Sequence, residues 1–257
     1  PACPRGASEE EFQRALAALG NPTRLRLPFN VLLLERGDER ILIDAGPPKT
    51  GGKPYPLLTS LAQIGLDRDA VTHVLLTHAH FDHMGGLLDP ENRPVFRRAT
   101  HLCFSEEVEF WTSAEPDLSA LQINPKSLLR DARHLFSHLG FQSPDSSTLP
   151  VGIHPQRSPG HTPGHMTLRI ESRGEMLHHI SDLTHHAGYS LPHPDWPLAS
   201  DTQPAVAIQT RVAAFQHLAD TGARVFGFHL PFPGLGKIVR ADETFRWVPE
   251  DWEVASV

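Results

Sequence analysis

Cysteine, positive charge and long apolar runs are all scarce in this chain of 257 residues. Its two cysteines, Cys3 and Cys103, are too few for a disulfide framework and lack the spacing of a thiolate metal site. Lysine and arginine number 23 against 30 acidic residues, so a formal net charge of −7 disfavours binding to nucleic acid or to an anionic membrane. The longest apolar stretches, such as residues 31–34, are far shorter than the roughly 20 residues that span a bilayer. We therefore expect neither a nucleic-acid partner nor a membrane partner.

Length and composition predict one globular domain over residues 1–257. With 39% hydrophobic and 21% charged residues, the chain has enough apolar material for a sizeable core. It begins at Pro1 without an initiator Met and shows no signal-like apolar segment. The compartment therefore stays open between the cytoplasm and, if a leader has been removed, the periplasm or the exterior. The oligomeric state also stays open, with a homodimer as one alternative.

Apolar periodicity and turn residues predict alternating helices and strands in both halves of the chain. Ser8 and Glu11 form a capping box, which predicts a first helix that ends at Gly20. Strands are predicted at residues 29–35, 40–44, 70–76, 94–96, 101–104, 166–170, 175–180 and 224–228. Further helices are predicted at residues 57–64, 105–111, 118–139 (interrupted near Pro125) and 205–219. The pattern indicates an α/β (α+β) fold in which two sheets lie between outer helices, a four-layer αββα arrangement.

Histidine is the abundant residue, with 17 copies, and it is the commonest metal ligand. The densest group lies in residues 77–83 (THAHFDH), directly after the predicted strand 70–76. His78 and His80 point the same way from an extended segment, so two imidazoles reach one ion. Asp82 and His83 follow as the chain turns toward two glycines, so they can face a second ion. The alternative is a solvated histidine-rich loop, which need not follow a buried strand and precede two glycines.

Three further residues of ligand type follow or end predicted strands. His161 lies in the rigid Pro/Gly-rich loop of residues 158–165, where His165 is the weaker candidate. Asp182 ends the strand 176–181, and His229 ends the strand 225–228. Taken alone, each would be unremarkable, because a single histidine or aspartate at a strand end is more often structural.

The order and spacing of these residues resemble the metallo-β-lactamase superfamily of hydrolases, in the subset with seven ligands and two metal ions. The resemblance covers about residues 29–240 and implies a metallo-β-lactamase αββα sandwich. It also implies that one ion takes His78, His80 and His161, that the other takes Asp82, His83 and His229, and that Asp182 bridges them. Asp44, within residues 42–46 (LIDAG), resembles an early strand-end aspartate of the family that orients a ligand from behind.

Within the superfamily, residues 104–111 and 228–234 look most like the methyl parathion hydrolase and lactonase branch. Acyl-homoserine lactonases carry a tyrosine three residues beyond their equivalent of Asp182, whereas this chain has His185 there and Tyr189 as its nearest phenol. True β-lactamases lack Asp182 as a ligand, so antibiotic hydrolysis is not expected. The family also places a strand or hairpin before the first helix, so either the sequence is trimmed or the first sheet has lost an edge strand.

The resemblance implies an enzyme, a metal-dependent hydrolase of the esterase, lactonase or phosphotriesterase type. Its cofactors would be two divalent metal ions. Nitrogen and oxygen ligands favour zinc, although iron, manganese and cobalt suit the same ligands. A hydroxide that bridges the ions would be the nucleophile. Asp82 and Asp182 would act at the catalytic centre as ligands, and His185 would donate a proton or hydrogen bond. The alternative for His185 is a solvated loop histidine.

The expected partner is a small, largely uncharged substrate: an ester, a lactone or an organophosphate triester. No Lys or Arg lies between Arg173 and Arg211, although Lys53 or Arg157 could still reach the pocket. Aromatic residues that could form an apolar substrate wall, each with a place in the core as its alternative, are Phe81, Trp111, Tyr189, Trp196 and Phe232.

Two other functions remain as alternatives. A glyoxalase II-like thioesterase would normally add a basic helical C-terminal region, whereas residues 241–257 are acidic and short. A metal-binding or redox module without hydrolytic activity would depend on a partnered flavin domain, which this sequence does not contain. Both alternatives therefore rank below the hydrolase.

Overall fold

The computed structural model describes residues 3–49, 55–145 and 147–251. Within them the helices are α1 (Glu9–Ala18), α2 (Pro56–Gln63), α3 (Phe81–Met84), α4 (Ser105–Thr112), α5 (Pro125–His138) and α6 (Pro204–Thr221). The strands are β1 (Leu32–Arg36), β2 (Glu39–Ile43), β3 (His73–Leu75), β4 (Thr100–Leu102), β5 (Ile153–Arg157), β6 (Met166–Ser172), β7 (Glu175–His179), β8 (Val225–Phe226), β9 (Leu235–Ala241) and β10 (Thr244–Pro249). None of these helices is both long and apolar enough to cross a membrane.

The strands form two sheets, each with a parallel portion. The first sheet has the order β1-β2-β3-β4, in which β1 and β2 form an antiparallel hairpin and β2, β3 and β4 run parallel. The second has the order β10-β9-β8-β7-β6-β5, in which only the pair β7 and β8 is parallel. Loops that leave the carboxyl ends of parallel strands emerge at the same sheet edge, which is where α/β proteins place their sites.

Three layers of apolar contact account for the architecture. The two sheets pack on each other through a buried cluster that includes Ile43 and Leu75 from the first sheet and Met166 and Leu168 from the second. Side chains alternate along a strand, so Val74 faces the other way and packs with residues of α2 and α5. On the far side, Phe215 and Leu218 of α6 pack against the second sheet. The predicted four-layer αββα sandwich is confirmed.

Of the helix caps, strands and helix bounds predicted from the sequence, some are confirmed and others are wrong. The capping box is present: the Glu11 N–H donates to Ser8 Oγ, and the Ser8 N–H donates to the Glu11 carboxylate. The strand predicted at residues 94–96 is wrong, since Pro94 makes only an isolated bridge to Leu88. Residues 118–124 are not helical either, because α5 begins at Pro125 with Asn124 as its cap.

Strand β5 was not predicted because Pro155 lies in its middle. Proline cannot donate to a strand ladder, but it is tolerated at an edge, and β5 is the edge strand of the second sheet. Strands β9 and β10, which form an antiparallel hairpin, also escaped the sequence analysis.

Candidate metal centre

Asp44, which directly follows β2, is hydrogen-bonded to the start of the loop after β3. The Asp44 carboxylate accepts hydrogen bonds from the Thr77 N–H (2.8 Å) and from the Thr77 hydroxyl (2.9 Å). It also lies 2.8 Å from Nδ1 of His83. Asp44 has a left-handed backbone with φ of 62°, a conformation that aspartate tolerates better than most residues. One buried carboxylate therefore fixes both the start of the ligand loop and the ring of His83.

A first group of ligand atoms comes from His78, His80, His161 and Asp182, all buried and within 4.8 Å of one another. Nδ1 of His80 lies 3.1 Å from Nε2 of His78 and 3.0 Å from Nε2 of His161. Three ring nitrogens that face each other at such distances require a cation or protons among them. A divalent metal ion satisfies all three lone pairs at once.

A second group consists of Asp82, His83 and His229, also buried. Nε2 of His229 lies 3.4 Å from Asp82 Oδ2, and Nε2 of His83 lies 3.9 Å from the same oxygen. His83 and Asp82 follow on α3, whereas His229 arrives from the loop after β8. The two sheets therefore contribute to each ligand group.

Asp182 lies between the two groups. Its Oδ1 is 3.0 Å from Nε2 of His83, and its Oδ2 is 3.4 Å from Nε2 of His161 and 3.3 Å from Nε2 of His229. Asp182 Oδ1 and His83 Nε2 are buried and 3.0 Å apart, but their relative orientation does not make a hydrogen bond, and neither atom has another hydrogen-bond partner among the described residues. Buried polar atoms without partners are costly. A pair of metal ions that share Asp182 would satisfy them, so the donor set fits two ions.

Each of three imidazoles is oriented by a partner on its outer nitrogen. Nδ1 of His161 lies 2.8 Å from Oδ1 of Asp201, and Nδ1 of His229 donates to the Pro28 carbonyl at 2.8 Å. Together with the contact between His83 and Asp44, these bonds leave Nε2 of each ring directed into the centre. Such partners fix the tautomer that a metal ligand needs.

The backbone that presents Asp182 is strained. Ser181 has φ of 45°, which is unusual for a residue other than glycine, and its hydroxyl donates to Thr77 Oγ1 at 2.9 Å. The Asp182 N–H donates to Nε2 of His165 at 3.2 Å, while Nδ1 of His165 donates to the Ser158 carbonyl. His165 thus supports Asp182 from behind, and it lies in none of the three groups of candidate ligands.

Electrostatics at the centre favour a cation. Burial lowers the pKa of His78 and of His80 well below the ordinary value, so both rings stay neutral, as ligation requires. Burial also opposes charge on His161, but hydrogen bonds to Asp182 and Asp201 raise its pKa to about 9. Likewise, Asp182, Asp44 and Asp82 overcome burial and raise the pKa of His83 well above its usual value. The same carboxylates that attract a proton here would attract a metal ion.

His185 lies at the open side of this centre. Its Nε2 is 2.9 Å from Asp182 Oδ2, and its ring centroid is 5.4 Å from that of His161 and 5.0 Å from that of His229. Its side chain is 20% exposed, whereas those of the neighbouring histidines are 0–2% exposed. Together with Asp182 and His229 it forms a third group of possible ligands. The structure thus brings His185 to the centre with the other predicted residues.

Exposed aromatic side chains surround the same region. Phe81, between two ligands, is 47% exposed, and Phe232, three residues after His229, is 74% exposed. Phe29, which the sequence analysis missed, is 40% exposed, and its ring centroid lies 5.6 Å from that of His229. Only the fold could reveal Phe29, because it precedes β1 and is 200 residues from its partner.

Trp111 and Trp196 lie in the interior of the structure, which is the alternative to their predicted place in a substrate wall. Trp111 is fully buried, and its indole N–H donates to Glu107 at 2.7 Å. Trp196 is almost fully buried and packs against Phe12 of α1. Tyr189 packs against the rings of Phe12 and Trp196, and burial raises the pKa of its hydroxyl to about 12. These aromatic residues pack in the interior, with Trp196 and Tyr189 holding α1.

A cavity of about 640 Å³ lies beside Phe81, between α3 and α5. Its lining combines the apolar residues Phe81, Met84, Leu88 and Leu135 with the charged residues Lys49, Asp89, Arg130 and Asp131. None of the candidate ligands lines this cavity. Phe81 is the residue of the ligand loop (residues 77–83) that does.

Comparison with known proteins identifies the fold and the family. The Metallo-beta-lactamase superfamily pattern matches residues 26–177. The chain belongs to the metallo-β-lactamase superfamily. It resembles AidC, a dizinc quorum-quenching lactonase, with 30% identity and a TM-score of 0.87 over 96% of this chain and 88% of that one. It is also 25% identical to the N-acyl homoserine lactonase AiiA of Bacillus thuringiensis subsp. kurstaki, over 66% of this chain and 68% of the relative.

Another solved relative supports the fold alone. The hydrolase AbOPH of the β-lactamase superfamily is 24% identical, with a TM-score of 0.86 over 97% of this chain and 89% of that one. Family membership, the lactonase relatives and the ligand groups together make this chain a metal-dependent hydrolase.

Proposed function

We propose that this metallo-β-lactamase superfamily hydrolase binds two zinc ions and opens the ester bond of a neutral lactone, with acyl-homoserine lactones as the leading class. The observation that carries the proposal is the position of Asp182 between two groups of buried ligand atoms. The resemblance to a dizinc lactonase supports zinc as the metal and a lactone as the substrate. Aryl esters and organophosphate triesters follow as slower substrates.

In the proposed centre, His78, His80 and His161 would hold one ion and Asp82, His83 and His229 would hold the other, with Asp182 available to both groups. Two divalent cations held there would lower the pKa of a water molecule at the centre and polarise the bond under attack. Asp44, Asp201 and the Pro28 carbonyl keep the ligand nitrogens directed inward. The protein therefore needs no separate strong base.

His185 is placed to complete ring opening. Breaking the ester bond of a lactone leaves an alkoxide that must take up a proton. Nε2 of His185 donates to Asp182 Oδ2 at 2.9 Å, and the side chain is partly exposed on the open side of the centre. We assign His185 the delivery of a proton to the departing oxygen, a role that requires the departing oxygen to bind within hydrogen-bond reach of its ring.

The surroundings favour an uncharged substrate. Arg211 is the first cation after Arg173, and it is buried and paired with Asp201 at 3.1 Å. Arg157 pairs with Glu106 on the surface, and Lys53 lies outside the described residues. Exposed Phe29, Phe81 and Phe232 offer apolar contact instead. The cavity beside Phe81 also carries Lys49, Arg130, Asp89 and Asp131, so the proposed apolar contact is limited to its Phe81, Met84 and Leu88 side.

A panel of substrates tests this function. The metal-loaded protein is assayed with acyl-homoserine lactones of several chain lengths, an aryl ester, a phosphotriester and S-lactoylglutathione. We expect the highest kcat/KM for a neutral lactone, and Asp182→Ala, measured in parallel, should lose nearly all turnover. A higher kcat/KM for the glutathione thioester than for every lactone would replace the proposal with the thioesterase alternative.

Metal content provides a separate test of the centre. Protein purified with zinc should contain two ions per chain, because the ligands exceed what one tetrahedral zinc accepts. Saturation at a single ion per chain would contradict the proposed centre, whatever the substrate.

A further inference from the structure

Glu107, on α4, is a fully buried carboxylate that has no part in the centre described above. Its Oε1 accepts hydrogen bonds from the Ala79 N–H at 2.8 Å and from the Trp111 indole N–H at 2.7 Å. Its Oε2 accepts from the Thr162 hydroxyl at 2.6 Å and from the Gly164 N–H at 3.1 Å. No imidazole is among these partners, so Glu107 differs from Asp44 and Asp201, which contact the rings directly.

The donors belong to the two loops that carry His78, His80 and His161, the first of which also carries Asp82 and His83 further along. Ala79 lies between His78 and His80, and Thr162 directly follows His161. Each oxygen of Glu107 thus holds one loop, and the distance across the carboxylate sets the separation between the loops. The rings of the other ligand group have supports of their own, namely Asp44 behind His83 and the Pro28 carbonyl behind His229, although Asp44 also holds the start of the shared loop through Thr77.

Close packing makes this link rigid. Gly164 lies so near α4 that a Cβ atom built on it would be 2.3 Å from the backbone nitrogen of Glu107. The loop of His161 therefore rests directly on the helix that carries Glu107. A shift of α4 would move that loop as well.

We propose that Glu107 is a positioning residue that selectively maintains the metal site formed by His78, His80 and His161. This inference rests on the proposed two-ion centre. Losing the carboxylate should weaken the ion at this site while the ion held by Asp82, His83 and His229 remains bound.

The chemistry requires a carboxylate at this position. Four donors match the acceptor capacity of an ionised carboxylate, which accepts at both oxygens. Burial raises the pKa of Glu107, and the hydrogen bonds from Thr162, Ala79, Trp111 and Gly164 oppose that rise. A glutamine has the same size but presents an NH₂ group to one of the two donor pairs. Two buried donors then lose their acceptor, and one of the loops must move.

The test compares full-length wild type with Glu107→Gln, both loaded with zinc and titrated with a chelator. Wild type should keep two ions over a range of chelator concentrations in which the variant keeps one. We expect the variant's site formed by His78, His80 and His161 to bind zinc roughly 10- to 100-fold more weakly, the range for the loss of a group that orients a ligand. Absorption spectra of the cobalt-loaded proteins should show altered bands for one of the two ions.

Arg133→Met is the matched control. Arg133 donates to the carbonyls of Trp111, Ser113 and Ala114, so its loss loosens the end of α4 but leaves all four donors to Glu107 in place. The control should unfold at a lower temperature and still bind two ions with wild-type affinity. A general loss of stability is thereby separated from a loss of positioning.

A second variant keeps the inference testable if Glu107→Gln does not fold. Thr162→Val removes one hydrogen bond to Oε2 with little change in volume, and it should weaken the same ion to a smaller extent. Wild-type zinc affinity in whichever variants fold, or equal loss of both ions from them, would overturn the assignment. If wild type itself binds only one ion, the proposed centre fails instead.

Discussion

Replacing Asp201 by asparagine would remove a negative charge from behind His161 without changing the size of the side chain. Oδ1 of Asp201 lies 2.8 Å from Nδ1 of His161. Oδ2 accepts from the Leu198 N–H at 2.8 Å and from the Arg211 guanidinium at 3.1 Å. Every contact of the carboxylate is thus with a donor, and asparagine has only one oxygen to offer them.

Either orientation of the amide has a cost. If its oxygen faces His161, its NH₂ group opposes the donors of Leu198 and Arg211. If its oxygen faces those two donors, its NH₂ group donates to Nδ1 of His161, and the ring must then carry its proton on Nε2. That nitrogen faces His80 and Asp182 in the ligand group, so the proton would compete with the metal ion.

The expected loss of metal affinity is roughly 10- to 100-fold, typical for a partner that orients a ligand. This corresponds to about 1.4–2.8 kcal/mol, since each factor of ten is about 1.4 kcal/mol. Stability should fall too, because the buried Arg211 loses its anion. Arg211 still donates to the carbonyls of Leu183, Pro194 and Trp196, so we expect about 3 kcal/mol, the lower end for a broken buried pair.

Zinc affinity and unfolding by urea, measured on the same preparations, test both expectations. Asp44→Asn is the comparison, because Asp44 lies at the same 2.8 Å from Nδ1 of His83 in the other ligand group and also holds Thr77, which precedes His78. Asp201→Asn should therefore weaken only the ion of His161, whereas Asp44→Asn should weaken the ion of His83 most and the ion of His78 as well. Wild-type zinc affinity in Asp201→Asn would refute the argument from the His161 tautomer.

Two further predictions concern stability away from the ligands. Ser8→Ala removes the cap of α1 and should lower the free energy of unfolding by about 1 kcal/mol in urea without changing zinc content; an unchanged midpoint would mean that the cap contributes nothing. Burial lowers the pKa of His101 from 6.5 to about 4, so the folded protein holds this ring neutral where the unfolded chain protonates it. Stability should therefore fall by up to about 3 kcal/mol as the pH drops from 6.5 toward 4. His101→Gln should show a shallower fall over that window, and identical pH profiles for variant and wild type would contradict the shift.

The candidate ligands could be proposed from the sequence because four of them lie within residues 78–83, directly after an apolar strand. A fixed order of further residues then identified the family and located His161, Asp182 and His229. Asp201 gave no such signal, since it is 40 residues from His161 in an irregular segment, and only the fold brings the two together. Long-range contacts of this kind have no local sequence pattern.

Glu107 did leave a signal that the sequence analysis overlooked. Phe104, Glu107, Val108 and Trp111 follow helical spacing, which places the glutamate on the apolar face of α4. A charged residue on such a face is either buried with partners or misplaced. The same spacing would have assigned Trp111 to the core rather than to a substrate wall.

The position of the centre follows from how the two sheets are built. β2 and β3 end at the loops that carry Asp44 and residues 77–83, and β7 and β8 end at the loops that carry Asp182 and His229. Both pairs are parallel, so each presents its two carboxyl ends at one edge, and sheet packing brings the edges together. The distances between ligands therefore depend on the apolar cluster between the sheets as well as on the loops. Large-to-small substitutions at Ile43 or Met166 in that cluster would act on the metal centre through the spacing of the sheets, although neither residue is a candidate ligand.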